Sequence, residues 1–195
     1  MKQEERSRRT REAILNAAAA CFAEKGYSAC TIQDIIERAN LSKGALYGHF
    51  RSKEELFKAM IGIEHGNGVE RARALAKEPP YLDAIIRFQE ACVLNPVFPM
   101  DHRLWIEVLA VAARDPVMKE AFAESEHMAR SVFRELLVKA RDAGEIDPEL
   151  DVDATAIWLF SLGDGLMARI ADDKSFDFQK HFDIFARLVR KALQA

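Results

Sequence analysis

Residues 31–56 read TIQDIIERANLSKGALYGHFRSKEEL, and three helix starts are written into them. Thr31 precedes Asp34 by three residues, so its hydroxyl can cap the free N–H groups of a first turn while the carboxylate completes a capping box. Ile32, Ile35, Ile36 and Ala39 follow at the spacing of one buried helical face. After the turn Asn40-Leu41, Ser42 caps a very short helix from Lys43 to about His49, and Ser52 with Glu55 opens a fourth. Helix, short turn, very short helix is the helix-turn-helix arrangement, in which the second helix lies in the major groove while the first braces it across the backbone. Spacing alone leaves many alternatives open.

Upstream, a helix from about Arg8 to Lys25 buries Ile14, Ala17, Ala18, Cys21 and Phe22, with Gly26 as the residue after its C-terminus. Its last part, AAAACFAEKGY (residues 17–27), and the stretch quoted above closely resemble the DNA-binding signature of the TetR family of transcriptional regulators. The resemblance covers residues 8–58, with glycine, tyrosine, histidine-phenylalanine and a lysine-bearing cap all in register. It implies a homodimer in which each subunit inserts residues 43–49 into one half-site of a palindromic operator in double-stranded DNA. The other residues would form an effector and dimerisation domain.

Carried over from that family pattern, Thr31 and Ser42 sit where helix N-termini favour phosphate, and Lys43 is the candidate donor to guanine O6 and N7. Gly44 leaves room for close approach. Tyr47, His49 and Lys53 resemble phosphate-contacting groups that set register, and Gln33 can reach a base or a phosphate. The competing reading has Tyr47 and His49 covering the small core and Lys53 solvated. Leu41, Leu46, Phe50 and Leu56 are core positions. The basic run from Arg6 to Arg11 suits either DNA or a solvated tail.

Beyond Ser52 the chain reads as helices throughout, about nine in all with no strand, which makes it all-α. The expected division is a DNA-binding domain over residues 1–51 and an effector-binding and dimerisation domain over 52–195. Gly62, Gly66 and Gly68 fall inside the fourth helix, each costing about 1 kcal/mol relative to alanine, so a bend, fray or hinge is expected there. Pro79-Pro80 breaks the chain before a helix from about Tyr81 to Leu94, and Asn95-Pro96-Val97-Phe98-Pro99 is read as a loop. Further helices are expected at about 101–113, 116–143, 152–171 and 177–194.

Residues 1–58 hold eleven basic against eight acidic side chains, although the whole chain has a net charge of −3. A basic end on an acidic body suits a protein that presents one end to a polyanion. The three cysteines, Cys21, Cys30 and Cys92, are odd in number and lack CxxC spacing, so neither a disulfide framework nor a metal site is expected, and a reducing cytoplasm fits. No signal peptide or membrane span is legible. No HExxH, GxSxG, P-loop or dinucleotide motif appears, so neither an enzyme nor a cofactor is expected.

Residues 152–170 are apolar nearly all round, which calls for cover on several sides. By family similarity, the last two helices pair with their copies through Trp158, Leu162, Gly165, Leu166, Phe178, Phe182, Phe185 and Val189, with Gly163 and Gly165 permitting close approach. A small, mainly apolar or aromatic effector is expected among the middle helices, near Phe88, Cys92, Trp105, Leu109, Phe122, Met128 and Trp158. His102, His127 and Asp164 are candidate polar anchors. Trp105-Ile-Glu107 with Ala112-Ala-Arg-Asp-Pro116 loosely resembles effector domains of several TetR subgroups. The alternative is a helix-turn-helix protein whose second domain binds a protein partner or no ligand.

Overall fold

The computed structural model describes residues 2–95 and 100–194, with nine helices and no strand among them. In order they are α1 (Lys2–Lys25), α2 (Ile32–Ala39), α3 (Lys43–Tyr47), α4 (Lys53–Leu75), α5 (Tyr81–Leu94), α6 (His102–Arg114), α7 (Pro116–Asp142), α8 (Val152–Asp172) and α9 (Phe178–Leu193). The loop expected over 95–99 lies, from Pro96 onward, outside the described residues.

α1 starts six residues before the expected Arg8. The early residues are not a loose basic tail, because Glu5 pairs with Arg8 and Arg9, and Arg8 also pairs with Glu12. Those partners stand three and four residues apart, the spacing that stabilises a helix surface. Arg8 holds the Glu5 carboxyl below its usual range, with Arg9 adding to the effect.

The chain forms two compact units and passes between them three times, inside α4, between α5 and α6, and inside α7. One contains α1, α2, α3, the first part of α4, α6 and the start of α7. Its interior includes Ile14, Ala18, Ile35, Leu46, Phe50, Leu56 and Met60. Phe22, Tyr27 and Phe57 pack as a ring trio with centroids 4.6 to 5.6 Å apart, a spacing that adds to simple area burial.

In this unit Cys21 and Cys30 are disulfide-bonded, which corrects the expectation drawn from cysteine spacing. Their pairing comes from the fold-back of the chain at Gly26, whose φ of +78° ends α1 and returns residue 30 to the α1 surface. A side chain at position 26 would be strained in that left-handed conformation. The case for a reducing compartment loses its cysteine support.

The other unit contains the rest of α4, α5, most of α7, α8 and α9. α5 packs on both α8 and α9, and its Leu82, Ile85, Ile86 and Phe88 join Phe133, Leu136, Leu137, Leu159 and Val189 in one core. The Gln89 amide donates to the Leu159 carbonyl at 2.8 Å, and a Cβ on Gly163 would stand only 3.0 Å from that amide nitrogen. Gly163 therefore serves an approach between α5 and α8 within one chain. No helix of the described residues is long and apolar enough to cross a membrane.

α4 runs unbroken from Lys53 to Leu75 through all three glycines. A fray at residues 62–68 is not observed.

Candidate nucleic-acid interface

The first and second helices of the 31–56 stretch are capped as their sequence dictates. Thr31 accepts from Asp34 N–H at 3.1 Å, and Asp34 accepts from Thr31 N–H at 2.8 Å and from the Thr31 hydroxyl at 2.7 Å. Lys25 also pairs with Asp34 at 2.7 Å. Lys25 first, and the Thr31 donors after it, hold the Asp34 carboxyl well below its ordinary range. α2 ends at Asn40 in the left-handed conformation, which turns the chain toward Ser42.

Ser42 then accepts from Ala45 N–H at 3.2 Å and starts α3. Leu46 and Phe50 are buried beneath it, at 0% and 2% exposure, and the Arg11 guanidinium covers the Phe50 ring at 5.2 Å. Opposite that buried side, Lys43 and Gly44 are exposed and Tyr47 is 44% exposed. The Lys43 ammonium lies 5.9 Å from the Tyr47 ring, one turn further on. His49 is half-buried just past the helix. Gln33 is exposed on α2, its amide donating to Glu37 at 2.8 Å.

Lys53 is placed differently from the phosphate-facing or solvated side chain of the sequence reading. Its ammonium donates to the carbonyls of Tyr27, Ser28 and Cys30 at 2.6, 3.4 and 2.9 Å, and lies 4.4 Å from the Tyr27 ring. With its protons aimed at one turn, Lys53 ties the start of α4 to the α1–α2 connection. Ser52 accepts from Glu55 N–H at 3.2 Å, while the Glu55 carboxylate takes Arg51 N–H at 2.6 Å instead of returning to Ser52. From the other side, Glu107 on α6 accepts Tyr27 N–H. Nothing local in the sequence marks Glu107 for this role, because its partner stands 80 residues upstream.

The candidate effector residues fall into two sets. His102, Trp105, Leu109 and Phe122 belong to the first unit, where the Trp105 and Phe122 rings stand 5.9 Å apart. Phe88, Cys92, His127, Met128, Trp158 and Asp164 belong to the second. Phe88 is core, with its ring 5.1 Å from Phe133, and Cys92 packs against the same core. Asp164 is half-buried. His127 is exposed, and Met128 and Trp158 stand on the chain surface at 57% and 43% exposure, not in an interior.

The expected dimer face also divides. Leu166, Phe178 and Val189 are buried in the chain's own core, and Phe182, Phe185 and Leu162 pack against it. The large apolar side chains that α8 and α9 turn outward are Ile157, Trp158, Ile184 and Leu188, with Gly165 also exposed. Ile184 and Leu188 are one turn apart on a helix whose opposite face is internal, a register that burial reveals and composition does not.

Cys21, Cys30 and Asp34 are a grouping of metal-type ligands among the described residues, and its two sulfurs are bonded to each other.

A short helix, capped at its start, buried on one side, polar on the other and braced by the helix before it, is the reading head of a helix-turn-helix DNA-binding protein. Residues 14–60 match the model of bacterial regulatory proteins of the tetR family, and residues 89–194 match the C-terminal model of BetI-type transcriptional repressors. The chain belongs to the TetR family and is a DNA-binding transcriptional regulator.

It is similar to the HTH-type transcriptional regulator UidR of Escherichia coli strain K12, 29% identical over 162 residues, 83% of this chain and 81% of the relative. The HTH-type transcriptional repressor AcnR of Corynebacterium glutamicum is 27% identical over 192 residues, 93% of each chain. Among solved structures, Salmonella enterica GusR superposes with a TM-score of 0.72 at 26% identity, covering 94% of this chain and 92% of that one. The fatty acid degradation regulator FadR of Bacillus halodurans, at 18% identity and a TM-score of 0.79 over 93% and 94% of the two chains, shares the fold.

Proposed function

We propose that this chain is a homodimeric repressor whose two copies each lay α3 in the major groove of one half-site of a palindromic duplex. A small, mainly apolar or aromatic effector releases it. Residues 1–51 read the duplex in this account, and residues 52–195 sense the effector and dimerise. The exposed α3 face, with Lys43, Gly44 and Tyr47 between the Ser42 cap and Gly48, carries the reading. Lys43 donates to guanine O6 and N7. Tyr47, His49 and Gln33 set the register on phosphates, and the N-terminal ends at Thr31 and Ser42 add main-chain donors.

Lys53 acts in this reading by positioning the α1–α2 turn. The Trp105 and Phe122 pair, with His102 on the same helix as Trp105, is the first place to seek effector contacts. Repression is favoured by the name of the Corynebacterium glutamicum relative, a transcriptional repressor. A reducing cytoplasm that holds the chromosome is the compartment such a protein works in.

Selection by the purified chain from a random duplex pool tests the reading. Two inverted half-sites are the expected yield. A chain indifferent to every duplex at low salt, where phosphate contacts are strongest, would overturn it.

A further inference from the structure

Cys21 lies on the buried face of α1, at 1% exposure, and Cys30 is the fully buried residue immediately before Thr31, the cap of α2. Their Cα atoms are 5.9 Å apart, a separation that a disulfide spans without backbone movement. The turn that the bond closes is already held by polar contacts: Lys53 on its carbonyls, Glu107 on Tyr27 N–H, and Lys25 with Asp34. The turn thus has ties that do not depend on the covalent bond. Proteins that read chromosomal DNA work among reducing thiols, where disulfides are mostly transient, catalytic or sensing.

We propose that Cys21 and Cys30 are a reversible thiol modification site, whose oxidation by hydroperoxides and reduction by small thiols sets the affinity of the reading head for duplex DNA. In the oxidation one thiolate attacks the peroxide O–O bond, forming a sulfenic acid and releasing an alcohol, or water from hydrogen peroxide. The second thiol then displaces water from the sulfenic sulfur. Two thiols and one hydroperoxide yield one disulfide, one alcohol and one water. Exchange with two small thiols reverses the change and leaves their disulfide.

The change reaches the DNA through packing. Two unbonded thiols need more room than a bonded pair, and in an interior as closed as this one added volume is taken up by shifts of the neighbours. Two of these neighbours are Thr31, whose carbonyl oxygen lies 3.8 Å from the Cys30 sulfur, and Asp34; their reciprocal cap starts α2, and α2 carries the turn that aims α3. The Asp34 carboxylate lies within 4.8 Å of both sulfurs. The bonded form is the one with this cap assembled, so it is the tighter binder.

The inference rests on the proposed DNA-reading role, and its test separates the two. The full chain carrying Cys92→Ala, which removes the third cysteine, is treated with hydrogen peroxide or with dithiothreitol. Thiols are counted in denaturant, and affinity is measured for the duplex recovered by selection and for a random duplex. The oxidised form is expected to lack titratable thiols and to bind the selected duplex roughly fivefold or more tightly, as for a modest coupling between sites. Adding Cys30→Ala is expected to give one affinity whatever the treatment. Equal affinities of the two forms, or two thiols that persist in peroxide, would overturn the proposal. Should Cys30→Ala unfold by circular dichroism, the two states of the Cys92→Ala chain decide. If neither form binds any duplex, the DNA-reading role fails; the thiol count and the melting temperatures of the two forms then show separately whether the pair is reversible and felt by the fold.

Discussion

The Glu107 carboxylate accepts the backbone N–H of Tyr27 at 2.5 Å, joining the middle of α6 to the residue just beyond the glycine that ends α1. A negative group at a helix C-terminus works against the dipole, so the bond to a part-buried main-chain donor must outweigh that cost. Glu107→Ala leaves this N–H unmet and is expected to lower stability by about 1–3 kcal/mol. Glu107→Gln retains an accepting oxygen and is expected to restore most of the loss. Chemical denaturation of the three proteins checks this, and identical midpoints would show that the contact contributes nothing.

Lys43 is expected to read a base. Lys43→Ala should weaken the selected duplex by about 1–3 kcal/mol and relax the preference at one position per half-site. Binding measured across a panel of single-base variants separates this from a uniform loss, which would reassign Lys43 to a phosphate.

Gly62, Gly66 and Gly68 lie in a continuous helix, and a Cβ on any of them meets nothing within 4 Å. Packing therefore does not require them. Alanine at each is expected to stabilise α4 by up to about 1 kcal/mol, read as a higher melting temperature and slower amide exchange over 62–68. A triple variant that melts lower would mean that the helix must bend there.

His65, 6% exposed on α4, is lowered by burial from the ordinary histidine value of 6.5 to about 4. The unfolded chain therefore binds a proton between pH 6.5 and 4 that the folded chain refuses. Stability rises with pH through that window: the contribution is complete above about pH 6.5 and is lost as pH falls toward 4, by up to about 3 kcal/mol. His65→Leu is expected to flatten this part of a plot of unfolding free energy against pH. An unchanged slope would place the proton uptake elsewhere.

Ile184 and Leu188 are 47% and 58% exposed on α9, and Ile157 and Trp158 are 51% and 43% exposed on α8. Such side chains are expected between two copies. Ile184→Glu with Leu188→Glu should convert the dimer to monomer in sedimentation experiments and weaken binding to a two-half-site duplex far more than to a single half-site. A double variant that sediments as a dimer would move the interface off this face.

Local chemistry was the legible part of the chain. The caps at Thr31, Ser42 and Ser52 act within three residues of themselves, so α2, α3 and the start of α4 were readable from neighbours alone. Contacts that need the fold were not. Lys53 meets carbonyls more than twenty residues upstream, and Cys21 finds Cys30 only because the Gly26 turn brings them together. The position of Cys30, directly before a cap and within reach of a buried α1 stripe, was the one available signal. In α8 and α9 the apolar excess was plain, but period alone did not tell which side met its own core: Leu166, Phe178 and Val189 turn inward while Ile157, Ile184 and Leu188 turn outward.

With five residues, α3 is about 7.5 Å long, little more than the rise of two base-pair steps. So short a probe inspects only a few letters at a time. A site long enough to be rare in a genome must then be specified by the distance between two such probes and by how easily the intervening duplex deforms. Changes that alter that span should retune target choice without touching a single base contact.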